Sequence, residues 1–256
     1  MKYQNKLINK LLKGSLTLKQ FDEILLNGDT FFESVELERE LLISNGMPLY
    51  FDEEKVSLKT LNTKIEDQSF CIVDIETTAG KVTSGQIIEI GAVKIKNGQI
   101  IEKYESLVSA YDIPSKVQDI TGITPGMLIG APNIQTVLEE FKIFLEDDIF
   151  VAHAISFDYK FISDSLEKYN LGTLLNRNLC TIDLSRKLIE AERYGLQYLK
   201  EQLNIDLEGH HRAYSDALST AKIFLECLKR VPDDVVTSED LIRFSKSNNK
   251  NRSKRN

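Results

Sequence analysis

Acidic side chains and one histidine, grouped in three short segments, carry the chemistry that this sequence could perform. Asp74 and Glu76 lie in the run FCIVDIETT, Asp158 in VAHAISFD, and Asp216 with His211 in HHRAYSDA. Alternate side chains of a strand share one face, so Asp74 and Glu76 point the same way. Two carboxylates side by side in a core strand repel each other unless a cation lies between them. Hard divalent ions such as Mg²⁺ prefer oxygen ligands, so the pair predicts a metal site.

Each segment taken alone also has an ordinary structural explanation. Asp74 and Glu76 could be an acidic pair at a frayed, solvated strand end. Asp158 falls in the first turn of a predicted helix, where the helix dipole favours an acidic residue. The adjacent His210 and His211 could ligate zinc, but no cysteine neighbours them in the sequence at the usual ligand spacing.

The elements around these segments predict an α/β domain over residues 66–230. FCIVDIET has the β-branched and aromatic residues of a buried strand, and Asn97-Gly98 between two apolar runs predicts a hairpin. DIFVAHA and NLCTIDL predict two further short strands. Amphipathic spacing predicts helices over about 133–147, 156–169, 184–191, 195–203 and 213–229. This order indicates a mixed sheet with an antiparallel hairpin edge and flanking helices.

The two ends of the chain differ from this domain. Residues 1–65 predict a small module with three helices at 4–13, 18–26 and 33–44, then strand-like pieces at 49–51 and 56–58. Three helices and a hairpin outline a winged-helix module, and a plain helical cap on the main domain fits equally well. Residues 231–256 predict a short helix and a basic tail, since the last eleven residues hold five basic and no acidic side chains. Such a composition favours disorder.

Composition limits the class of protein. The chain has 256 residues, 42% hydrophobic and 28% charged, which suits a globular protein with one large domain and a smaller module. Its net charge of -7 argues against coating nucleic acid through bulk charge, but not against gripping one strand end through local contacts and metal ions. No apolar run approaches the roughly 20 residues that span a bilayer, and no signal-peptide core is visible. The three widely spaced cysteines predict buried thiols, so we expect a cytoplasmic protein.

Taken together, the three segments resemble the motifs of a known family. Asp-Ile-Glu-Thr-Thr, Ala-His-x-x-x-Phe-Asp and His-x-Ala-x-x-Asp-Ala are similar in order and spacing to the motifs of the DEDDh 3′–5′ exonucleases. The resemblance covers about residues 68–230 and implies a ribonuclease H-like fold. It is closest to the branch of proofreading epsilon subunits of bacterial DNA polymerase III. A related subclass has Tyr four residues before the last Asp; that position is Arg212 here, which favours the histidine subclass.

The resemblance also implies roles for individual residues. Four carboxylates would hold two divalent metal ions, Mg²⁺ or Mn²⁺: Asp74, Glu76, Asp158 and Asp216. Such ions activate the attacking water and stabilise the leaving 3′ oxygen. His211 would be the general base, since an imidazole with a reference pKa of about 6.5 accepts a proton near neutral pH. Thr77 and Glu89 would lie near the terminal nucleotide, although Glu89 could equally be an exposed residue of the hairpin.

The implied function is a metal-dependent 3′–5′ exodeoxyribonuclease that acts on single-stranded or mismatched DNA 3′ ends. It would serve as the proofreading subunit of a bacterial replicative polymerase, with the polymerase catalytic subunit as partner and residues 1–65 as a docking module. One alternative is a single-strand RNA-trimming exoribonuclease of the same family, which the motifs do not distinguish. Another is an inert nucleic-acid-binding adaptor, but that requires a missing ligand and none is missing.

Two positions depart from the family pattern. Ala79 stands where the family often has Gly after the double Thr, and Ala154 where it usually has Asn after the second-motif His. Neither position carries a metal ligand. The departures therefore bear on rate and substrate preference more than on the reaction.

We predict that His211→Ala lowers the rate of hydrolysis by about 10²–10⁴-fold, because the attacking water loses its proton acceptor. Metal affinity should barely change, since no carboxylate is removed. The measurement compares single-turnover rates of the wild type, His211→Ala and the matched neighbour variant His210→Ala. A larger loss in His210→Ala than in His211→Ala would show that the register of the third motif is wrong.

Overall fold

The computed structural model describes residues 2–28, 34–205 and 212–247, so His210, His211 and the basic tail from 248 onward lie outside the described residues. The first part of the chain forms helices packed on a small antiparallel sheet of order β1-β3-β2. Its elements are α1 (Lys2–Leu11), β1 (Leu16–Thr17), α2 (Leu18–Leu26), α3 (Val35–Ser44), β2 (Leu49–Phe51) and β3 (Lys55–Leu58). The three predicted helices and two predicted strands are present, and β1 is an additional short strand. The winged-helix interpretation stays a prediction.

The main body is a five-stranded mixed sheet of order β6-β5-β4-β7-β8. Its strands are β4 (Phe70–Thr77), β5 (Ile87–Lys96), β6 (Gln99–Leu107), β7 (Ile149–Ala152) and β8 (Asn178–Cys180). β4 pairs antiparallel with β5 and parallel with β7. The predicted hairpin joins β5 to β6, with Asn97 and Gly98 at φ of 52° and 68° in the turn. The predicted fold class, a mixed sheet with an antiparallel hairpin edge and flanking helices, is confirmed.

Helices cover both faces of this sheet. They are α4 (Ser115–Thr121), α5 (Ile134–Leu145), α6 (Asp158–Lys168), α7 (Thr181–Leu188), α8 (Leu196–Gln202), α9 (Ala213–Leu228) and α10 (Ser238–Lys246). Side chains of β4 alternate between two cores. Val73 and Ile75 pack with α5 and α6 on one face, whereas Phe70 and Ile72 pack with α9 and α10 on the other. The even-numbered side chains of β4, among them the two predicted metal ligands, therefore face α9.

The N-terminal elements and the last helix are held together by a buried polar cluster. The Glu239 carboxylate on α10 is 1% exposed. It accepts hydrogen bonds from the Thr60 hydroxyl at 2.8 Å and from the Arg177 guanidinium at 2.5 and 3.0 Å. Ser238 donates to the Thr60 carbonyl oxygen at 3.2 Å. The short helix predicted beyond residue 230 is thus present as α10, and it packs on the sheet and on the segment that follows β3.

Two expectations from composition can be compared with the structure. Cys71, Cys180 and Cys227 are buried free thiols, so the prediction of buried thiols is confirmed. Within residues 2–28, 34–205 and 212–247, no helix combines the length and the apolar character needed to cross a bilayer.

We predict that Glu239→Ala lowers the free energy of unfolding by about 3–5 kcal/mol, because it leaves the Arg177 charge buried without its partner. The measurement is urea unfolding followed by circular dichroism. The matched control is Glu226→Ala, which removes a half-buried surface carboxylate paired with Lys229 and Arg230 and should cost less than about 1 kcal/mol. Equal losses in the two variants would contradict the assignment of Glu239 as the residue that joins α10 to the N-terminal elements.

Candidate active site

The predicted carboxylates meet where β4 ends. Asp74 and Glu76 project from the last half of β4 toward α9, and Asp158 is the first residue of α6, which follows the neighbouring parallel strand β7. Asp216 lies in the first turn of α9. Sites of α/β sheets commonly lie outside the carboxyl ends of parallel strands, and β4 and β7 place two of the predicted segments there.

A glycine allows α9 to approach the sheet closely enough. Gly91 of β5 pairs with Asp74 of β4. A Cβ at Gly91 would lie 2.1 Å from the Tyr214 backbone nitrogen and 2.2 Å from the Ala213 carbonyl carbon. Any side chain at position 91 would therefore push the first turn of α9, and Asp216 with it, away from β4.

The structure brings three of the four predicted ligands into one cluster. Asp74, Glu76 and Asp216 each offer a carboxylate oxygen, and these atoms lie within 4.8 Å of one another. Asp158 is 4% exposed and lies beside this cluster, where its carboxylate accepts a hydrogen bond from the Ile75 N–H. The cluster is built from hard oxygen donors, which suits Mg²⁺ or Mn²⁺.

The electrostatics of the cluster favour a bound cation. Burial, followed by repulsion from Asp158, Asp216 and Glu76, raises the pKa of Asp74 well above its usual value. Burial, with the charges of Glu89 and Asp216, raises the pKa of Glu76 to about 8. Burial also raises the pKa of Asp158 to about 7. A divalent cation relieves this repulsion and returns the carboxylates to their charged form.

The one histidine in the described part of the chain is structural. His153 Nε2 lies 2.9 Å from the Tyr194 carbonyl oxygen, which can only accept, so Nε2 carries the proton. Its Nδ1 lies 2.8 Å from the Thr181 hydroxyl. Burial lowers the pKa of His153 to about 4, so the ring is neutral at physiological pH. Both ring nitrogens are engaged, so this ring has no free nitrogen to accept a proton from water.

The backbone at the residue that follows His153 shows why the family usually has Asn there. Ala154 has a φ of 67°, in the left-handed region. That conformation costs most L-residues about 1–2 kcal/mol, and Asn is one of the few side chains that visit it routinely. The second-motif turn thus keeps a backbone shape that suits Asn although the side chain is absent.

Glu89 is buried and paired with Arg212. Its carboxylate is 0% exposed, so the alternative expectation of an exposed hairpin residue is wrong. Glu89 accepts hydrogen bonds from Arg212 Nη2 at 2.6 Å, from Arg212 Nε at 3.0 Å and from the Ala213 N–H at 2.9 Å. Ala213 is the first residue of α9, so Glu89 satisfies one of the amides that a helix start leaves without a partner. The substrate contact predicted for Glu89 stays a prediction.

Sequence reasoning missed the structural role of Arg212. The available signal was an arginine at the position before α9, where Ser, Thr, Asp or Asn would be the usual capping residue. The pair anchors the segment that immediately follows His211. It also places a cation near Glu76, which lies opposite Glu89 in the β4–β5 register.

The loop after β4 is closed by local hydrogen bonds. Thr77, the predicted neighbour of the terminal nucleotide, donates from its hydroxyl to the Ala79 carbonyl oxygen at 2.9 Å. Gly85 packs against the same turn, since a Cβ there would lie 2.7 Å from the Ala79 Cβ. The loop is therefore held beside the cluster by the residues that follow the first motif.

Comparison with known proteins agrees with this geometry. The model of the exonuclease family matches residues 71–224, the span that contains all three motifs. The chain belongs to the exonuclease family. The prediction of a DEDDh 3′–5′ exonuclease from the three motifs is thereby confirmed at the level of the family.

Similar proteins and structures extend the match. DNA polymerase III PolC-type of Staphylococcus aureus is 34% identical over 210 residues, which are 81% of this chain and 14% of that protein. The chain thus spans about a seventh of the length of this curated relative. Exonuclease X in complex with 5′ overhanging duplex DNA has a TM-score of 0.56 at 24% identity, covering 69% of this chain and 99% of that one. A zinc-bound E. coli exonuclease I complex with single-stranded DNA has a TM-score of 0.60 at 16% identity, covering 65% and 42%. These two structures show the fold alone.

We predict that Arg212→Met destabilises the exonuclease domain by about 3–5 kcal/mol, because it leaves the Glu89 carboxylate buried beside Glu76 without its cation. Glu89→Gln combined with Arg212→Met should recover most of that loss. The measurement is a double-mutant cycle by urea unfolding. Additive losses, with no coupling between the two positions, would contradict the assigned pair.

Proposed function

We propose that this exonuclease-family chain is a metal-dependent 3′–5′ exonuclease that removes nucleotides from DNA 3′ ends. The observation that carries the proposal is the cluster of Asp74, Glu76 and Asp216 within 4.8 Å, with Asp158 beside it. Its side chains come from three separate segments, and each is placed by an element of the exonuclease fold. In a structural salt-bridge network, neighbouring cations would lower the pKa values of the carboxylates. Here burial and the neighbouring carboxylates raise the pKa values of Asp74 and Glu76 instead.

The proposed roles follow from chemistry and position. The four carboxylates hold two divalent cations, Mg²⁺ or Mn²⁺, which when bound lower the pKa of the attacking water and offset the charge of the phosphodiester. His211 takes the proton of that water as general base. Arg212, the next residue in the chain, is anchored to the buried Glu89 carboxylate. Thr77 is the last residue of β4 and would lie beside the terminal nucleotide.

Proofreading is the biological role we propose, with a DNA polymerase catalytic subunit as partner. Support comes from the 34% identity with a PolC-type DNA polymerase III. The neighbouring structures were solved with DNA, which supports DNA over RNA as substrate. Such a role places the protein in the cytoplasm.

We further propose that residues 1–65 dock a partner and take no part in the reaction. The described residues of this module add no carboxylate to the cluster. Four of its apolar side chains are exposed by 46–64%: Leu26, Leu37, Ile43 and Tyr50. A partner that docks on this module would bury these side chains.

We expect Asp74→Ala and Asp158→Ala to abolish hydrolysis of a 5′-labelled primer in Mg²⁺ while the fold is kept, because removing a buried carboxylate relieves repulsion in the metal-free cluster. Primers with a paired and a mismatched 3′ end, and a single-stranded RNA, are compared in parallel. The matched control Asp234→Ala removes an exposed carboxylate and should cleave as the wild type does. Near wild-type cleavage by Asp74→Ala would refute the proposed reaction, and faster cleavage of RNA than of DNA would refute the proposed substrate.

A further inference from the structure

A groove of about 1050 Å³ lies between α6 and the loop that follows β4. One wall is α6, whose first residue is Asp158, with Phe157 directly before it. The other wall is the turn 80–83, which follows the first-motif residues Thr77 and Thr78. Both walls therefore continue segments of the chain that carry cluster residues, and Phe157 in the groove is the neighbour of Asp158 in the chain.

The α6 wall presents one continuous stripe of side chains. Residues 157, 160, 161, 164 and 168 recur at helical spacing and share a face of the helix. Phe157 is 40% exposed, and its ring lies 5.6 Å from that of Phe161. An exposed aromatic face of this kind stacks on nucleobases without sequence preference.

The charge of the groove differs from that of the whole chain. Its titratable lining consists of three lysines (81, 160 and 168) and two acids (164 and 167), a balance of plus one, whereas the chain carries -7. Lys168 Nζ lies 3.5 Å from the Val82 carbonyl oxygen, so it bridges the two walls. Lys160 binds both carboxylate oxygens of Asp164, at 2.7 and 2.9 Å. Asp164 therefore competes with any phosphate for Lys160.

We propose that this groove binds the unpaired DNA strand that precedes the scissile linkage, with the lysines on its phosphates and Phe157 stacked on a base. The inference rests on the proposed exonuclease function and names the path of its substrate. From Asp158 to Lys168 the helix rises about 15 Å. At about 3.4 Å or more for each nucleotide, that length accommodates at most about four nucleotides. Backbone cations together with an aromatic face are the usual means of holding single strands.

Asp164 makes the proposal specific to this chain. The Asp164 carboxylate offsets the charge of Lys160, so the ion pair lowers the affinity of Lys160 for a phosphate of the strand. Asp164→Asn should therefore tighten binding, whereas Lys81→Gln, Lys160→Gln and Lys168→Gln combined should weaken it. Opposite effects of substitutions on one helix face are not expected from a loss of folding.

The experiment measures kcat/KM on a single strand of about 12 nucleotides and on a nitrophenyl ester of a mononucleotide, which is too short to enter the groove. The triple lysine variant should lower the strand-to-ester ratio of kcat/KM at least tenfold at low salt. In the triple lysine variant, the logarithm of kcat/KM for the strand should fall less steeply with the logarithm of salt concentration. The slope should be shallower by about 2, since each single-strand phosphate contact contributes about 0.7. Asp164→Asn should raise the ratio severalfold. Lys19→Gln on α2 and Asp234→Asn, both exposed and outside the groove, are the matched controls.

Binding measured apart from hydrolysis separates this inference from the proposed function. Fluorescence anisotropy of the labelled strand, with DNA and RNA arms, should show the same opposite effects of the lysine and Asp164 variants. If strand binding depends on these residues but no nucleic acid is hydrolysed, the proposed function is refuted and the inference about the groove stands. A strand-to-ester ratio and an affinity equal to those of the controls would overturn the groove, even if hydrolysis is confirmed.

Discussion

Repulsion among the carboxylates of Asp74, Glu76, Asp158 and Asp216 is the interaction on which the rest of the site depends. Burial and neighbouring charges raise the pKa of Glu76 to about 8. Burial raises the pKa of Asp158 to about 7. In the unfolded chain such groups ionise at about pH 4. Between these values the folded protein binds more protons than the unfolded chain, so without a cation its stability falls as pH rises from about 4 to about 8. The fold must hold this cluster together with packing and hydrogen bonds made elsewhere.

Three features do so. β4 is buried on both faces, and its odd-numbered and even-numbered side chains belong to different cores. Gly91 lets the first turn of α9 lie against β5, and the buried Glu89–Arg212 pair fastens the residue before that helix. The result is that the first turn of α9, which carries Asp216, is held by contacts that do not involve a metal ion. Preorganisation of this kind lets ligands receive a metal ion without moving.

Much of the fold and the cluster could be predicted from the sequence because the signals are local. The strand FCIVDIET, the Asn97-Gly98 turn and the acidic residues at the starts of α6 and α9 are each recognised within about ten residues of chain. The Glu89–Arg212 pair could not be predicted, because it joins residues 123 apart and depends on how closely α9 approaches β5. Thr60 and Glu239, 179 residues apart, join the N-terminal elements to α10 in the same non-local way. The left-handed backbone at Ala154 could not be predicted either, since alanine gives no sequence signal for that conformation.

Thermal unfolding across about pH 5 to pH 9, with and without Mg²⁺, tests the central claim that this cluster is a divalent-cation site. Without Mg²⁺ the melting temperature should fall as pH rises toward about 8, because the buried carboxylates lose protons that the unfolded chain has already lost. Mg²⁺ should raise the melting temperature, and by more at high pH, because the ion binds the deprotonated cluster of the folded state. The rise should be much smaller in Asp74→Asn. A melting temperature that does not respond to Mg²⁺ at any pH, or a response that Asp74→Asn leaves unchanged, would contradict the account.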